Sequence, residues 1–455
     1  MTIASSTARA TLEQLLLARS ADTLAAQLAP KHHPAPQRPR GATDTSDEAI
    51  DRRWALLAAA GIDVAPLREA LLDEQARADA DTYARSVEYF VGTVKLPIGL
   101  AGPLRVNGTH AQGDFYVPLA TTEAALVASY ARGMQLLTEC GGASVALLDD
   151  GVSRAPAFAF RTIHETGQFV AWVLALVDAL RGAAEATTRH GTLKDVRITV
   201  EGNHVYLLCE FRTGDAAGQN MATIATQALC EHVVAHCPVV PTHWYVEANH
   251  SGDKKASALS FLSVRGRSVS AEVRIPADTL ERRLHTTPAR MMDYWQVSAL
   301  GGVLSGTIGV QGHYANGLAA LYLACGQDVA CVAESAVGVT RFSLDDDGGL
   351  YAAVTLPSLV VGTVGGGTAL PSQRACLGML GLAGTGHAGA LAEVAAATAL
   401  AGELSIVGAI VAHEFTRAHA ALSRRPVRLG APDDAPTGAA AATTGAAVPM
   451  PGTDA

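Results

Sequence analysis

Residues 391–422 read LAEVAAATALAGELSIVGAIVAHEFTRAHAAL, a long, mostly apolar stretch of helical character, with Gly402 as the expected point of a break. A helix this apolar needs other elements to cover it. Other segments supply mixed partners. TLEQLLLARSADTLAAQLA (11–29) reads as an amphipathic helix, and ATTEAALVASYARGMQLL (120–137) as a helix with Thr121 or Thr122 near its cap. DVRITVEGNHVYLLCEF (195–211) reads as two strands around the turn Gly202-Asn203, and GDAAGQNMATIATQALCEHVVAH (214–236) as a glycine-containing loop opening a helix. No regular βαβ alternation runs through the chain, so the expectation is an α+β fold rather than a plain doubly wound sheet.

Composition sets limits on function. The 455 residues are 49% apolar and 17% charged, which is globular rather than disordered, and long enough for two or three domains. A net charge of −9 argues against nucleic acid or an acidic membrane surface as the main partner. The seven cysteines are scattered and form no CxxC pair, which suits a reducing compartment. The longest apolar runs noted, FVAWVLAL and IVGAIVA, fall short of the roughly 18 residues of a membrane helix, and no secretory signal is visible, so a cytoplasmic protein is expected. PKHHPAPQRPRGATDTSDE (30–48) reads as a linker, and the last thirty residues as a low-complexity tail with too little apolar bulk to fold.

Several residue patterns could carry chemistry. In SGDKKASALSF (251–261) a lysine doublet, Lys254-Lys255, opens an apolar segment, so one ammonium could enter a protected place; a solvated doublet is the plainer reading. Glu123 falls in the first turn of its expected helix, where the dipole favours a carboxylate. Asp328, in ACGQDVAC, is flanked by apolar and small residues and calls for a cationic partner. His413 and His419 are six apart on an expected helix and so face different ways. His232 and His236 with Cys230 and Cys237 could suggest zinc, but no third ligand motif accompanies them and no metal is expected. GDAAGQNM lies between a strand and a helix, so its amides could face a phosphate, although G-x-G-x-x-G is absent. VGTVGGGTALPSQ (361–373) offers three consecutive glycines where a ligand could approach bare backbone.

Taken together, LPIGLAGPL (96–104), PLATTEAALVAS (118–129), DKK (253–255), ACGQD (324–328), TVGGGTALPSQRACLGMLG (363–381) and LAGELS (400–405) closely resemble the catalytic domain of 3-hydroxy-3-methylglutaryl-CoA reductases. The resemblance runs from about residue 85 to 425 with the blocks in family order, and the DKK form looks like the class I branch without its membrane anchor.

The resemblance implies a four-electron reduction of an acyl-CoA thioester by two NADPH, giving mevalonate and free CoA. Lys254 matches the catalytic lysine, whose ammonium would stabilise an oxyanion, and Asp328 would orient and polarise it. Glu123 would donate a proton, for which burial would have to raise its pKa, and His419 would protonate the departing CoA thiolate. His413 then becomes a helix-packing residue. Arg154, Lys255 and Asn316 match substrate contacts. For NADPH the matches are Asp215, Gly218, Asn220 and Met221, the triple glycine Gly365, Gly366 and Gly367, Arg189 in TTRH at the 2′-phosphate, and Arg424.

The family fold implies a large domain round a long central helix, with an inserted ferredoxin-like small α/β domain. The expected layout is an N-terminal helical segment at 1–80 with its Pro-rich linker, a large substrate-binding domain at 81–155 and 246–400, and a small NADP-binding domain at 156–245. A C-terminal catalytic helix at 401–425 and a disordered tail at 426–455 complete it. The family's sites lie between subunits, which implies a homodimer or homotetramer.

The match also fails in places. Counted without gaps, the family's lysine near the acyl carboxylate falls on Gln296, and a serine of the same region on Glu247. Ala217 and Gln219 stand where methionines are usual, and Ser423 replaces an asparagine. Either the acyl group differs from 3-hydroxy-3-methylglutaryl or local gaps shift the count. A non-catalytic relative that binds CoA is a third reading.

Overall fold

The computed structural model describes residues 9, 13, 14, 20–31 and 37–414. His419, Ser423, Arg424 and the tail at 426–455 therefore lie outside the described residues. The chain divides into two compact units, Met1–Lys95 and Leu96–Ala455.

The first unit is helical. Ser46 starts the helix Asp47–Ala59 by accepting a hydrogen bond from the Ala49 N–H, with Asp47 and Glu48 placed to meet the helix dipole. Ile50 and Trp54 from this helix meet Leu72, Ala76, Ala80 and Phe90 in a small core. Of the stretch expected as an amphipathic helix, Ala21–Leu28 is helical behind a Ser20 cap, and none of its residues is buried.

The second unit holds two cores joined by one sheet. Its strands are β1 (Ile98–Gly108), β2 (Gln112–Ala120), β3 (Ala143–Arg154), β4 (Ala157–Ala159), β5 (Thr192–Glu201), β6 (His204–Arg212), β7 (His243–Tyr245), β8 (Gly266–Ile275), β9 (Val339–Leu344) and β10 (Leu350–Leu359). The strand order is β7-β4-β6-β3-β8-β10-β9, with β5 beside β6 and β1 beside β2 and β3. β3 belongs to both halves. Residues 144–151 pair with β8, and residues 152–154 pair with β6.

Beyond that handover the chain forms a βαββαβ unit: β4, the helices Ile163–Ala175 and Val177–Glu185, β5, β6, the helix Gln219–His236, and β7. All its strand pairs are antiparallel, and the β5–β6 hairpin turns at Gly202-Asn203 as its sequence specifies. Phe158, Phe160, Phe169, Phe211 and Leu229 fill its separate core. The arrangement is ferredoxin-like, and the fold as a whole is α+β.

The large core surrounds the helix Ala388–Val411, which packs on β1, β3, β8 and β10 and on the helices Leu126–Glu139, Pro288–Ser305 and Tyr314–Cys325. Small residues permit the closest crossing. A Cβ on Gly133 would meet Ala401 O at 1.9 Å, and one on Gly402 would meet the Tyr130 ring at 2.5 Å. The helix is therefore continuous through Gly402, where a break was expected, because the glycine admits a neighbour instead of ending the helix. The division at 400/401 falls inside it for the same reason.

By length and apolar content this is also the one single helix among the described residues that could cross a membrane, although 89% of its most apolar window is buried inside the protein. The count of apolar runs overlooked it because Glu393 and Glu403 interrupt it. Both carboxylates are buried and used. Glu393 accepts from the N–H groups of Thr109, His110 and Ala111, and Glu403 from those of Gly312 and His313 and from the Thr340 hydroxyl. They fasten loops to the core, where an unpaired carboxylate would be costly.

The helix ends at Val411, and His413 adopts a left-handed conformation (φ 57°) with its side chain exposed. It does not pack against the helix as expected. The helix at 120–137 begins later than expected, at Leu126, because Ala125 takes a left-handed turn (φ 71°) with no side-chain cap. Glu123 thus precedes the helix and is not in its first turn.

Candidate active site

The loop 246–265, which returns the chain from the small domain to β8, carries Lys254. Gly252 and Lys254 both have positive φ (73° and 56°), a costly conformation for a lysine. The Lys254 N–H donates to Glu334 Oε1 at 3.2 Å, which helps hold that backbone. Its Nζ lies 2.9 Å from Asp328 Oδ2, and both side chains are about two-fifths exposed. The expectation of a buried lysine is not met within one chain. The hydrogen bond that Lys254 donates to Asp328 raises the lysine's pKa above its ordinary value. Burial pushes the Asp328 carboxyl upward, but Lys254 outweighs it and holds the group below the ordinary carboxylate range.

Asp328 is set by its turn. Gly326 (φ 68°) packs against the backbone of Gly367, and the buried Gln327 accepts from the Gly362 N–H at 2.8 Å. Asp328 Oδ1 accepts from the Ala330 N–H. The glycine-rich segment and the turn carrying Asp328 are thus one packed unit.

Beneath the lysine lies a buried ionic network that sequence reading missed. Arg265, 3% exposed, pairs with Asp253 and, at 3.2 Å, with Glu334. Arg154 donates to Asp253 at 2.6 Å and to Thr223 at 2.8 Å, and lies 3.6 Å from Glu247. Burial acts to raise the Asp253 carboxyl, and the two arginines outweigh it. Asp253, Cys331 and Glu334 present donor atoms within 4.8 Å of one another, but the arginines already supply the positive charge there. The zinc candidates His232 and His236 stack on each other at 4.1 Å while Cys230 and Cys237 face the small core. Lys255 is exposed, its Nζ folded back to the Asp253 carbonyl.

The dinucleotide candidates adjoin this network. Ala216 bridges Val364, and a Cβ on Gly362 would strike the backbone of Asp215–Ala217. Gly218 is left-handed (φ 77°), and a Cβ there would strike Thr213. Gly365 and Gly366 have positive φ and open space where a Cβ would lie. Asp215 is already engaged, accepting from the Gly386 and Ala388 N–H groups at the start of the long helix. Asn220 and Arg189 are exposed, and Gly191 brings the Arg189 loop against the Met221 sulfur.

Glu123 and Asn316 lie elsewhere, lining one cavity of about 480 Å³ with Arg132, His313 and Ile410. Glu123 is exposed, so the burial it needs as a proton donor is not provided by the described residues. His313 and Arg132 were not singled out from the sequence, although His313 sits three residues before Asn316. Tyr130 bridges to His313 Nδ1 at 2.9 Å. Gln296 is exposed on the helix Pro288–Ser305, beside the bare side chains of Val297, Leu300 and Leu304.

Relatives of this chain agree with the motif reading. The hydroxymethylglutaryl-coenzyme A reductase profile matches residues 49–424, beginning well before the residue near 85 where the motifs start. A 3-hydroxy-3-methylglutaryl-coenzyme A reductase of Pyrococcus horikoshii is 42% identical over 348 residues, covering 75% of this chain and 84% of that protein. The protein of that name from Halobacterium salinarum is 44% identical over 353 residues, covering 76% and 86%. In fold, the class II 3-hydroxy-3-methylglutaryl-CoA reductase of Streptococcus pneumoniae superposes with a TM-score of 0.59 at 20% identity, over 79% of this chain and 97% of that one. With the motifs in order and the profile spanning most of its length, the chain belongs to the hydroxymethylglutaryl-coenzyme A reductase family.

Proposed function

We propose that this chain catalyses the NADPH-dependent reduction of 3-hydroxy-3-methylglutaryl-CoA to mevalonate and CoA. The observation that carries the reading is the Lys254–Asp328 pair at 2.9 Å, set against a glycine-rich backbone. NADPH, when bound, supplies the two hydrides. Gly365, Gly366, Gly367, Gly218, Asn220 and Met221 would hold it, with Asp215 and the Arg189 and Arg424 guanidinia. The bare backbone of Gly365 and Gly366 suits close approach by such a cofactor.

Lys254 stabilises negative charge as it develops on the thioester oxygen, an interaction absent from the ground state. Asp328 keeps that ammonium charged and aimed. Glu123 donates a proton to the reduced carbonyl oxygen, and His419 to the CoA thiolate. Lys255 and Asn316 bind substrate, and Arg154 orders the loop below. Two features support a homodimer or homotetramer: Glu123 is exposed in its own cavity, and Val297, Leu300 and Leu304 form an apolar stripe left uncovered among the described residues. A cytoplasmic setting is favoured by seven unpaired cysteines.

One observation favours a second acyl group. Arg154, matched to substrate, is engaged by Asp253 and faces Glu247, one of whose oxygens has no hydrogen-bond partner. Gln296 adds no compensating charge. The deciding experiment follows NADPH oxidation with 3-hydroxy-3-methylglutaryl-CoA against a panel of other acyl-CoAs. Fastest turnover of the former supports the proposal, and a distinct preferred thioester replaces it.

A further inference from the structure

Gln219 opens the helix Gln219–His236 directly after the left-handed Gly218. Both ends of its amide are used. Nε2 donates to Asp328 Oδ2 at 3.2 Å and lies 3.2 Å from Cys331 Sγ, while Oε1 accepts from Arg265 at 3.4 Å. The Asp328 oxygen it reaches is the one that Lys254 binds. A guanidinium can only donate, so Arg265 fixes which end of the amide faces Asp328. Arg265 is itself buried, paired with both Asp253 and Glu334.

We propose that Gln219 is a positioning residue that locks the Asp328 carboxylate in register with Lys254. Ion pairs as exposed as this one hold their geometry weakly by themselves. A second donor on the same oxygen, anchored to a buried arginine, removes the carboxylate's freedom to turn. Because Gln219 stands on the small domain and Asp328 on the large one, the contact also ties the seating of the small domain to the readiness of the lysine. The inference rests on the proposed role of Lys254, but the contact can be tested without turnover.

Two variants test it, Gln219→Met and Gln219→Leu, both of which remove the amide. In the full chain without substrate, acetylation of Lys254 by acetic anhydride is followed by peptide mass spectrometry, with Lys95 as internal reference. In both variants Lys254 should react about three- to tenfold faster than in the wild type, the scale of losing one hydrogen bond of ordinary strength. In turnover, kcat should fall about tenfold while the acyl-CoA KM stays within about twofold. Wild-type labelling of Lys254 in both variants overturns the proposal, as does faster labelling with unchanged kcat. Should Gln219→Met fail to fold, the Leu variant decides. A wild-type protein that turns over no acyl-CoA overturns the proposed function instead, and the labelling still decides Gln219.

Discussion

The Lys254 network and the Glu123 cavity are built on opposite plans. Around Lys254, side chains from the 246–265 loop, β3, the helix Gln219–His236 and the turn at 326–334 interlock through charge, and Arg265 is almost wholly enclosed. Around Glu123 the walls are mostly apolar, with polar exceptions that include Arg132, His313 and Asn316, and among the described residues the glutamate's one local tie is its own N–H to the Thr121 hydroxyl at 3.0 Å. The first region holds its geometry before any ligand arrives. The second leaves Glu123, the proposed proton donor, exposed among the described residues. Substitutions at the buried residues of the first should therefore disturb the fold and the chemistry together, and in the second the chemistry alone.

The largest expected effect is Arg265→Ala. It strands Asp253 and the buried Glu334 without their cation, and should cost about 3–5 kcal/mol in urea unfolding. Lys254→Ala should lower kcat at least about 100-fold, the scale of one oxyanion donor, with little change in KM. It should fold, because Asp328 is partly solvated. Glu123→Gln should lower turnover by a similar factor of about 100 while stability stays within about 0.5 kcal/mol. A large stability loss there would erase the contrast between the regions.

A pH titration sharpens it further. Asp253 and Asp328 are held below their ordinary values, so their contribution to stability is present above the unfolded pKa near 3.8 and lost as pH falls through the lower folded values. Arg154→Ala removes part of that hold, and its acid-unfolding midpoint should move to higher pH. An unmoved midpoint would show that Arg265 alone suffices. The smallest effect is expected at Lys255, whose ammonium is exposed: Lys255→Ala should raise the acyl-CoA KM with kcat nearly unchanged.

What the sequence made legible was local or verbal. The β5–β6 turn is written in Gly202-Asn203, and the glycine loop before the helix at 219 in its own residues. The Lys254–Asp328 pairing was legible through motif resemblance, since 74 residues separate the two. Arg265 and Glu334 escaped, and Gln219 was legible only as a departure from the family motif, because each acquires a role only when four segments meet. The late helix start at Leu126 was hidden for another reason. No residue type near Ala125 demands a left-handed turn, so tertiary packing overrode the cap expected from Thr121 or Thr122.

The positive φ of Lys254 sets two kinds of directed evolution against each other. Glycine occupies that backbone conformation without strain, and asparagine with little. A library at this position screened for heat resistance alone should therefore enrich Lys254→Gly and Lys254→Asn. The same library screened for turnover should return lysine, so the residue with the worst backbone fit is the one that a selection for product retains.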